Sequence, residues 1–505
     1  MKESERLQNS RLNIYSNVFI YFIQTILTFL VRTFFIRVFG AKLLGLDSLL
    51  INILNMLSIA ELGIGSAISY GLYKPLKDNN TKKINAYMSF YRKFYRFIGI
   101  SIISMGIILS LFLNKMVGDY SYNHLYLIYF IYLFDTSSLY FISYKDILLL
   151  ADQKNYKIFK YDCSFRIILY VLQLTLLIIH PNYIVYLLIM LFSRLGNRIL
   201  VNRFISRYYK KVDFKSKEKL TKKELKTIKS NVSGLFLFKL SDYVINCSDN
   251  IIISAIIDIV TVGIYTNYLS ITTILKTIIR NIFTGITASF GNLSTEGDKK
   301  SEKNVFDIMI FIDFIVSGYV TLCFLNMINP FIQIWLGKKY VLPYISMIII
   351  CLNFYLMCSQ LPLDTVKEAC GFYKKDKYVP AIQSIINVIL SIVLAYSIGF
   401  NGVIIATTIS YILTVTWIKP FMLHKYIFKV NSKSYFIDKL KFLLSLIVIF
   451  LIDYKVLSII NFSTNLINLI ISGIIISFIY ILMIILFYHN RKEFKYLYKT
   501  VLRKE

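Results

Sequence analysis

Apolar residues run in long blocks from one end of the chain to the other, and charged residues collect between the blocks. A segment that crosses hydrocarbon needs about 20 mostly apolar residues. By that measure roughly fourteen spans are predicted, over 13–37, 47–73, 94–113, 125–149, 158–179, 183–205, 231–257, 262–290, 305–328, 341–363, 378–398, 402–427, 440–456 and 466–487. Such a chain is expected to be an all-α polytopic membrane protein with about fourteen transmembrane helices. The first span is too long for a signal-peptide core and lacks a small-residue cleavage site, so it is read as retained.

The segments between blocks alternate in charge. Seven Lys/Arg fall between Lys74 and Arg96, and eleven between Arg203 and Lys229. The segments 419–441 and 491–505 are also basic, whereas 114–124, 180–182, 399–401 and 453–460 are short and nearly free of cations. Roughly 44 cations lie on one side against about 5 on the other, which by the positive-inside rule predicts both termini in the cytoplasm. The basic stretch near Lys210 parts six spans from eight. The expected units are 1–205, a basic cytoplasmic linker 206–229, a second bundle 230–430, and 431–505 with two additional helices and a basic tail.

Sliding the sequence by 218 residues pairs Arg11 with Lys229, Asn13 with Asn231, and Leu44-Gly45-Leu46 with Val262-Gly263-Ile264. A weaker echo sets Gln153-Lys154-Asn155-Tyr156 beside Lys375-Asp376-Lys377-Tyr378. Six spans per unit is an even number, so the two units enter the membrane from the same side, as in a parallel repeat.

Composition narrows the function. With 56% hydrophobic residues and a mean hydropathy of +0.61, the chain is neither secreted nor a soluble enzyme. The net charge of +29 comes from topology-setting loops and, in part, from the Lys usage of an AT-rich genome, so no nucleic-acid partner is expected. Six scattered cysteines and four distant histidines show no CxxC or Cys/His spacing, so no metal site, disulfide framework or cofactor is expected. No GxxxxGK[ST] loop, long external loop or acid/His/Ser constellation is present. The chain reads as a carrier and not an enzyme.

Charges inside spans are expensive, about 2.5–3.5 kcal/mol each at a helix centre, and face a cavity or a partner. Lys276 and Arg280, at i and i+4, form a basic stripe on the eighth span and are the best candidates for meeting an anion, with Arg32 on the first. The plainer alternative pairs them with acids of neighbouring helices. Arg37 is placed to snorkel. Lys239 and Asp242, three apart, are expected to neutralise each other. Glu61 and Asp249 are candidates for ion coupling, and Glu61 equally suits a helix–helix hydrogen bond. Asp135, Arg166 and Asp313 are further intramembrane charges, and Gly63, Gly65 and Gly71 are expected to permit close helix packing.

Several strings then look familiar. Arg32-Thr33 through Phe39-Gly40, Leu44-Gly45-Leu46-Asp47-Ser48-Leu49, Ala60-Glu61-Leu62-Gly63-Ile64-Gly65 and Tyr73-Lys74-Pro75-Leu76 resemble the Wzx-type capsular repeat-unit flippases. So do Asp249-Asn250-Ile251-Ile252-Ile253-Ser254, Val262-Gly263-Ile264-Tyr265, Gly291-Asn292-Leu293 and Pro330 through Gly337, in consistent order along the chain. The resemblance implies the fold of the multidrug/oligosaccharidyl-lipid/polysaccharide exporter superfamily, two six-helix bundles forming a V around a central cavity. It implies a bacterial plasma-membrane flippase for polyprenyl-diphosphate-linked oligosaccharide. Its expected partners are membrane lipids and the polysaccharide polymerase and glycosyltransferases of the same pathway. By helix and depth, it puts Arg32 and Arg280 on the diphosphate, with Lys276 assisting. The competing readings are a drug/cation antiporter of the same fold, whose cavity would be acidic, a peptidoglycan-precursor flippase, and a membrane polymerase, which would carry a large external loop.

Overall fold

The computed structural model describes residues 3–61, 63–117, 124–370, 372, 378–460 and 465–502. Side chains are described at these positions except 3–22, 59, 60, 231, 233–235, 238, 288, 289, 292, 295, 296, 460 and 500–502. Of the features expected above, those at Arg11, Asn13, Ala60, Leu62, Asn231, Asn292, Lys375, Asp376 and Lys377 lie wholly or in their side chains outside the described residues.

The chain is an all-α multi-pass membrane protein. Ten helices among the described residues are long and apolar enough to cross a membrane. They correspond to all the expected spans except the first, second, seventh and eighth. Those four carry Arg32, Glu61, Asp249, Lys276 and Arg280, and each includes positions whose side chains lie outside the described residues.

Two compact units are present, Met1–Val262 and Gly263–Glu505. The first begins with α1 (Glu3–Leu57), kinked at Gly40. A 3₁₀ turn at Ser58–Glu61 leads to α2 (Ile64–Lys77) and α3 (Thr81–Ser110). The short α4 (Leu113–Val117) is followed by α5 (Leu125–Ile142), α6 (Asp146–Ala151), α7 (Phe159–Ile179), α8 (Tyr183–Tyr208) and α9 (Lys222–Ile256). The second expected span is therefore not one helix but a broken one, interrupted at 58–63; the fourth is broken likewise between α5 and α6. Broken helices are tolerated in membranes where neighbouring groups satisfy the freed backbone. α9 packs against α1 and α2.

The basic segment after α8 is docked, not loose. Phe214 is buried with its ring 6.3 Å from that of Tyr144. The Asp213 amide donates to Asn85 Oδ1 (2.9 Å), and Ser89 Oγ donates to the Ser216 carbonyl (2.7 Å). A capping box at Thr221 and Glu224 then starts α9.

The second unit holds the body of α10 (Ile259–Glu296), then α11 (Lys299–Leu336), α12 (Tyr344–Cys358), α13 (Leu361–Ala369), α14 (Tyr378–Ile398), α15 (Phe400–Leu413) and α16 (Val415–Leu423), which runs on into a π-helical turn, His424–Phe428. Next come α17 (Lys433–Ile460), α18 (Leu466–Tyr488) and α19 (Lys492–Leu502). α17 continues through 453–460, a segment expected to be an external loop, and Asp453 is fully buried in it. The additional helices seat on α11 through aromatic packing. The Phe314 and Phe442 rings stack 4.2 Å apart, and Tyr480 donates to the Ile315 carbonyl (2.9 Å). Gly318 makes this approach fit, because a Cβ there would lie 2.8 Å from Leu446.

The 218-residue spacing recurs in the helix caps. α3 starts at Thr81 and α11 at Lys299. The N-cap Asn80 accepts from the Lys83 amide (3.1 Å) and the N-cap Asp298 from the Ser301 amide (3.2 Å). Each cap follows a left-handed residue, Asn79 (φ 49°) or Gly297 (φ 81°). After α6 the Asp152 and Lys154 amides close on the Leu148 and Leu149 carbonyls; after α13 those of Cys370 and Phe372 close on Val366 and Lys367. Both endings make the 6→1 bond of a Schellman closure.

Candidate functional site

In the first unit Arg32 is half-buried on α1, directly after the buried Val31. It lies within electrostatic reach of Asp47, further along the same element, and of Tyr186 on α8. Asp47 accepts from the hydroxyls of Tyr132 and, at 3.3 Å, Tyr183. The rings of Phe35, Phe39, Tyr183 and Tyr186 wall this region, with Phe35 and Tyr186 centroids 5.2 Å apart. Asp47, at the edge of an expected span, was not among the candidate charges; its position fifteen residues after an intramembrane arginine was the available signal.

Glu61 sits at the break between α1 and α2. Both carboxylate oxygens are engaged, Oε1 by the Tyr95 hydroxyl and Oε2 by that of Tyr140 (2.8 Å). Tyr91 packs on Tyr95 with centroids 4.3 Å apart. Of the two readings of Glu61, the helix–helix hydrogen bond is the one the geometry displays. Gly63 caps α2 at φ 89°, a left-handed conformation that side chains resist, so it serves the turn. Gly71 does serve packing: a Cβ there would lie 2.4 Å from the Tyr87 ring.

Asp249 is buried on α9 beside Ser248 and Asn250, in the electrostatic neighbourhood of Cys247. Lys239 and Asp242 are not joined by an ion pair among the described contacts. Asp242 instead accepts from Asn246 Nδ2 (3.1 Å), one turn on.

Elsewhere in the first unit charges pair internally. Arg194 on α8 bonds the buried Asp135 of α5. Arg198 reaches Asp146 (2.9 Å) and Asp162 (3.5 Å), Asn197 donates to Asp162 (2.8 Å), and Arg166 donates to Gln24. These ties among α1, α5, α6, α7 and α8 hold the bundle in register, although Asp135 Oδ1 is buried without a hydrogen bond among the described residues.

In the second unit α10 carries Lys276 and Arg280 on one stripe. Lys276 is partly buried near Cys358 of α12. The Arg280 side chain is 60% exposed, with Glu368 of α13 at 3.9 Å, a long contact for a guanidinium–carboxylate pair. Asp313, fully buried on α11, accepts from Ser317 Oγ (2.7 Å) and faces Lys439 of α17 at 3.3 Å. Lys419 and Asp364 pair at 2.6 Å. Of the three candidate cations Arg32, Lys276 and Arg280, Arg280 is thus the most exposed.

No protein-family model matches the sequence, and no curated protein matches it. Solved structures do match its fold. The inward closed conformation of the lipid II flippase MurJ superposes with a TM-score of 0.69 at 16% identity, covering 94% of this chain and 99% of that one. An inward-facing multidrug resistance MATE-family transporter of the MOP superfamily gives 0.64 at 14% identity, over 78% and 93%. A MOP-superfamily transporter from Pyrococcus furiosus, for which reversed polarity of the binding pocket suggests a different function, gives 0.52 at 13% identity, over 81% and 95%. The chain shares the fold of MOP-superfamily transporters.

Proposed function

We propose that this protein is a flippase that moves polyprenyl-diphosphate-linked oligosaccharide repeat units from the inner to the outer leaflet for surface-polysaccharide assembly. The observation that carries the reading is Arg280. It is an exposed guanidinium on a predicted membrane span, in line with Lys276 and with only a 3.9 Å contact to Glu368. A permanently charged group in that setting calls for an anionic partner. The MurJ-like fold over nearly the whole chain supports a lipid-linked cargo in preference to a soluble one.

The chemistry follows from the cargo. A diphosphate cannot shed its hydration in hydrocarbon, and bidentate guanidinium hydrogen bonds replace that hydration. Lys276 and Arg280 contact the diphosphate from α10, and Arg32 adds a third cation whose field is moderated by Asp47. The prenyl tail stays in lipid while the units exchange access. Moving two negative charges outward across about 100 mV releases about 4.6 kcal/mol, so the membrane potential favours export.

Arg280→Ala or Arg32→Ala is expected to abolish surface polysaccharide while the protein still inserts, and Arg280→Lys to retain part of it. In a deletion strain, complete lipid-linked units are expected on the cytoplasmic leaflet. Normal polysaccharide in both alanine variants overturns the site. Unpolymerised units accumulating outside would instead mark a polymerase.

A further inference from the structure

The first unit contains a cavity of 1220 Å³ where several helices end. The last turns of α2 and α8, the start of α3, the turn after α6 and the segment following α8 form its walls. Lys77, Lys154, Arg207, Lys210 and Lys211 line it, and Asp152 is its one acid. Asp152 is committed: it accepts from the Tyr209 hydroxyl (2.7 Å) and pairs with Lys154 (2.9 Å). Burial draws the Lys154 ammonium down, but Asp152 more than offsets this and leaves its pKa above the ordinary lysine value. The other four cations have no ion pair among the described residues. Among the described residues the cavity therefore carries a surplus of positive charge.

Its walls are held in place. The 210–212 side is pinned by the buried Phe214, with Lys145 Nζ 4.5 Å above that ring, and by the bonds from Asn85 and Ser89. The Tyr208 ring, also in the lining, is flanked by Lys157 (4.8 Å) and Lys154 (5.8 Å).

Helix-end dipoles and the topology rule would favour cations at such helix ends in both units alike. The internal repeat supplies a control for that explanation. At the same 218-residue spacing, Asp152 and Lys154 are replaced by Cys370 and Phe372, and Tyr209 and Lys210 by Ile427 and Phe428. There Cys370 and Phe372 pack on a core that includes Ile427 and the buried Phe428, and Ser294 meets Cys370 at 3.4 Å. The second unit thus packs over part of this frame, but it keeps Lys425 and Lys429 where the first has Arg207 and Lys211, and these two line a smaller cavity of 460 Å³.

We propose that this cavity is a binding site for a phosphate-bearing anion, separate from the Arg32 and Lys276–Arg280 groups and independent of the flippase reading. Two sources share the chemistry: the headgroup of an anionic phospholipid and a soluble phosphate compound. The full-length protein would be purified and given two probes, cardiolipin, read by native mass spectrometry, and inorganic pyrophosphate, read by calorimetry. Lys77→Gln with Arg207→Gln removes two exposed cations that have no described ion-pair partner, so the fold is kept. Binding should weaken about thirtyfold, about 2 kcal/mol. Lys82→Gln with Lys93→Gln removes the same charge outside the cavity and should leave binding unchanged. Loss of cardiolipin binding alone assigns the lipid source, and loss of pyrophosphate binding alone the soluble one; either supports the site. Binding of neither probe, or equal weakening by both variant pairs, overturns it.

Discussion

The turns that follow α2 and α6 in the first unit, and α10 and α13 in the second, make the most instructive contrast in the molecule. Their backbones obey one plan: left-handed residue, N-cap acceptor, Schellman closure, all 218 residues apart. Their side chains do not. The first unit lines its frame with lysine, arginine and tyrosine around a 1220 Å³ cavity, while the second sets cysteine, phenylalanine and isoleucine at four of the equivalent positions, keeps Lys425 and Lys429 at two others, and leaves a cavity of 460 Å³. The second unit also buries an ion pair, Asp313–Lys439, to attach the additional helix α17, whereas the first keeps its Arg198 pairs partly exposed. Capping geometry can thus be inherited from a repeat while charge and packing are free to diverge.

The contrast can be broken most forcefully at the buried pair. Lys439→Ala strands the Asp313 carboxylate and should cost about 3–5 kcal/mol. It would be seen as lost hydrogen-exchange protection across α17, with Asp313→Asn in the same chain restoring much of it. Arg198→Ala, which leaves acids in partial contact with solvent, should cost less, about 2 kcal/mol. Equal losses would erase the distinction between the units.

Next come the left-handed positions. Gly297→Ala forces a side chain to φ 81° and should destabilise by about 1–2 kcal/mol, although the Cβ would meet nothing within 4 Å. Gln153→Gly, at φ 56°, should stabilise by about 1 kcal/mol, since glycine is the residue that such a helix ending prefers. Thermal unfolding of the purified variants measures both, and a shift of the same sign in the two would refute the shared-frame argument.

The smallest effects belong to the N-caps. Asn80→Ala should loosen the start of α3 by about 1 kcal/mol at any pH. The Asp298 cap should depend on pH. Hydrogen bonds from the Ser301 hydroxyl and amide, and then the Lys300 amide, hold its pKa below the ordinary carboxylate value. A depressed carboxylate contributes its stability above the unfolded pKa and loses it as pH falls through the folded one. Protection of the Ser301 amide, corrected for intrinsic exchange, should therefore fall on acidification while that of Lys83 stays flat. Asp298→Asn should abolish the difference.

Much of this was visible in the residue order. The apolar blocks located the ten long helices, and a faint match at 218 residues anticipated the shared caps. Lys276 and Arg280 could be put on one stripe because helical spacing alone relates residues four apart. What escaped was everything that depends on distance across the fold. Tyr95 and Tyr140, 34 and 79 positions from Glu61, take both its oxygens. Asp47 enters the surroundings of Arg32 only after the kink at Gly40. The breaks in the second and fourth spans were missed because their apolar pattern continues through them.

The sequence by itself determined that this chain is helical and crosses a membrane many times, because hydrocarbon demands long apolar runs with internally satisfied backbones. It also marked which spans carry intramembrane charges. Only the tertiary structure decided which of those charges are spent. Asp135, Glu61 and Asp313 are occupied by groups brought from distant helices, and Arg280 is left largely open. A charge's partner is a matter of a few ångströms in space, and periodicity along the chain carries no information about that distance.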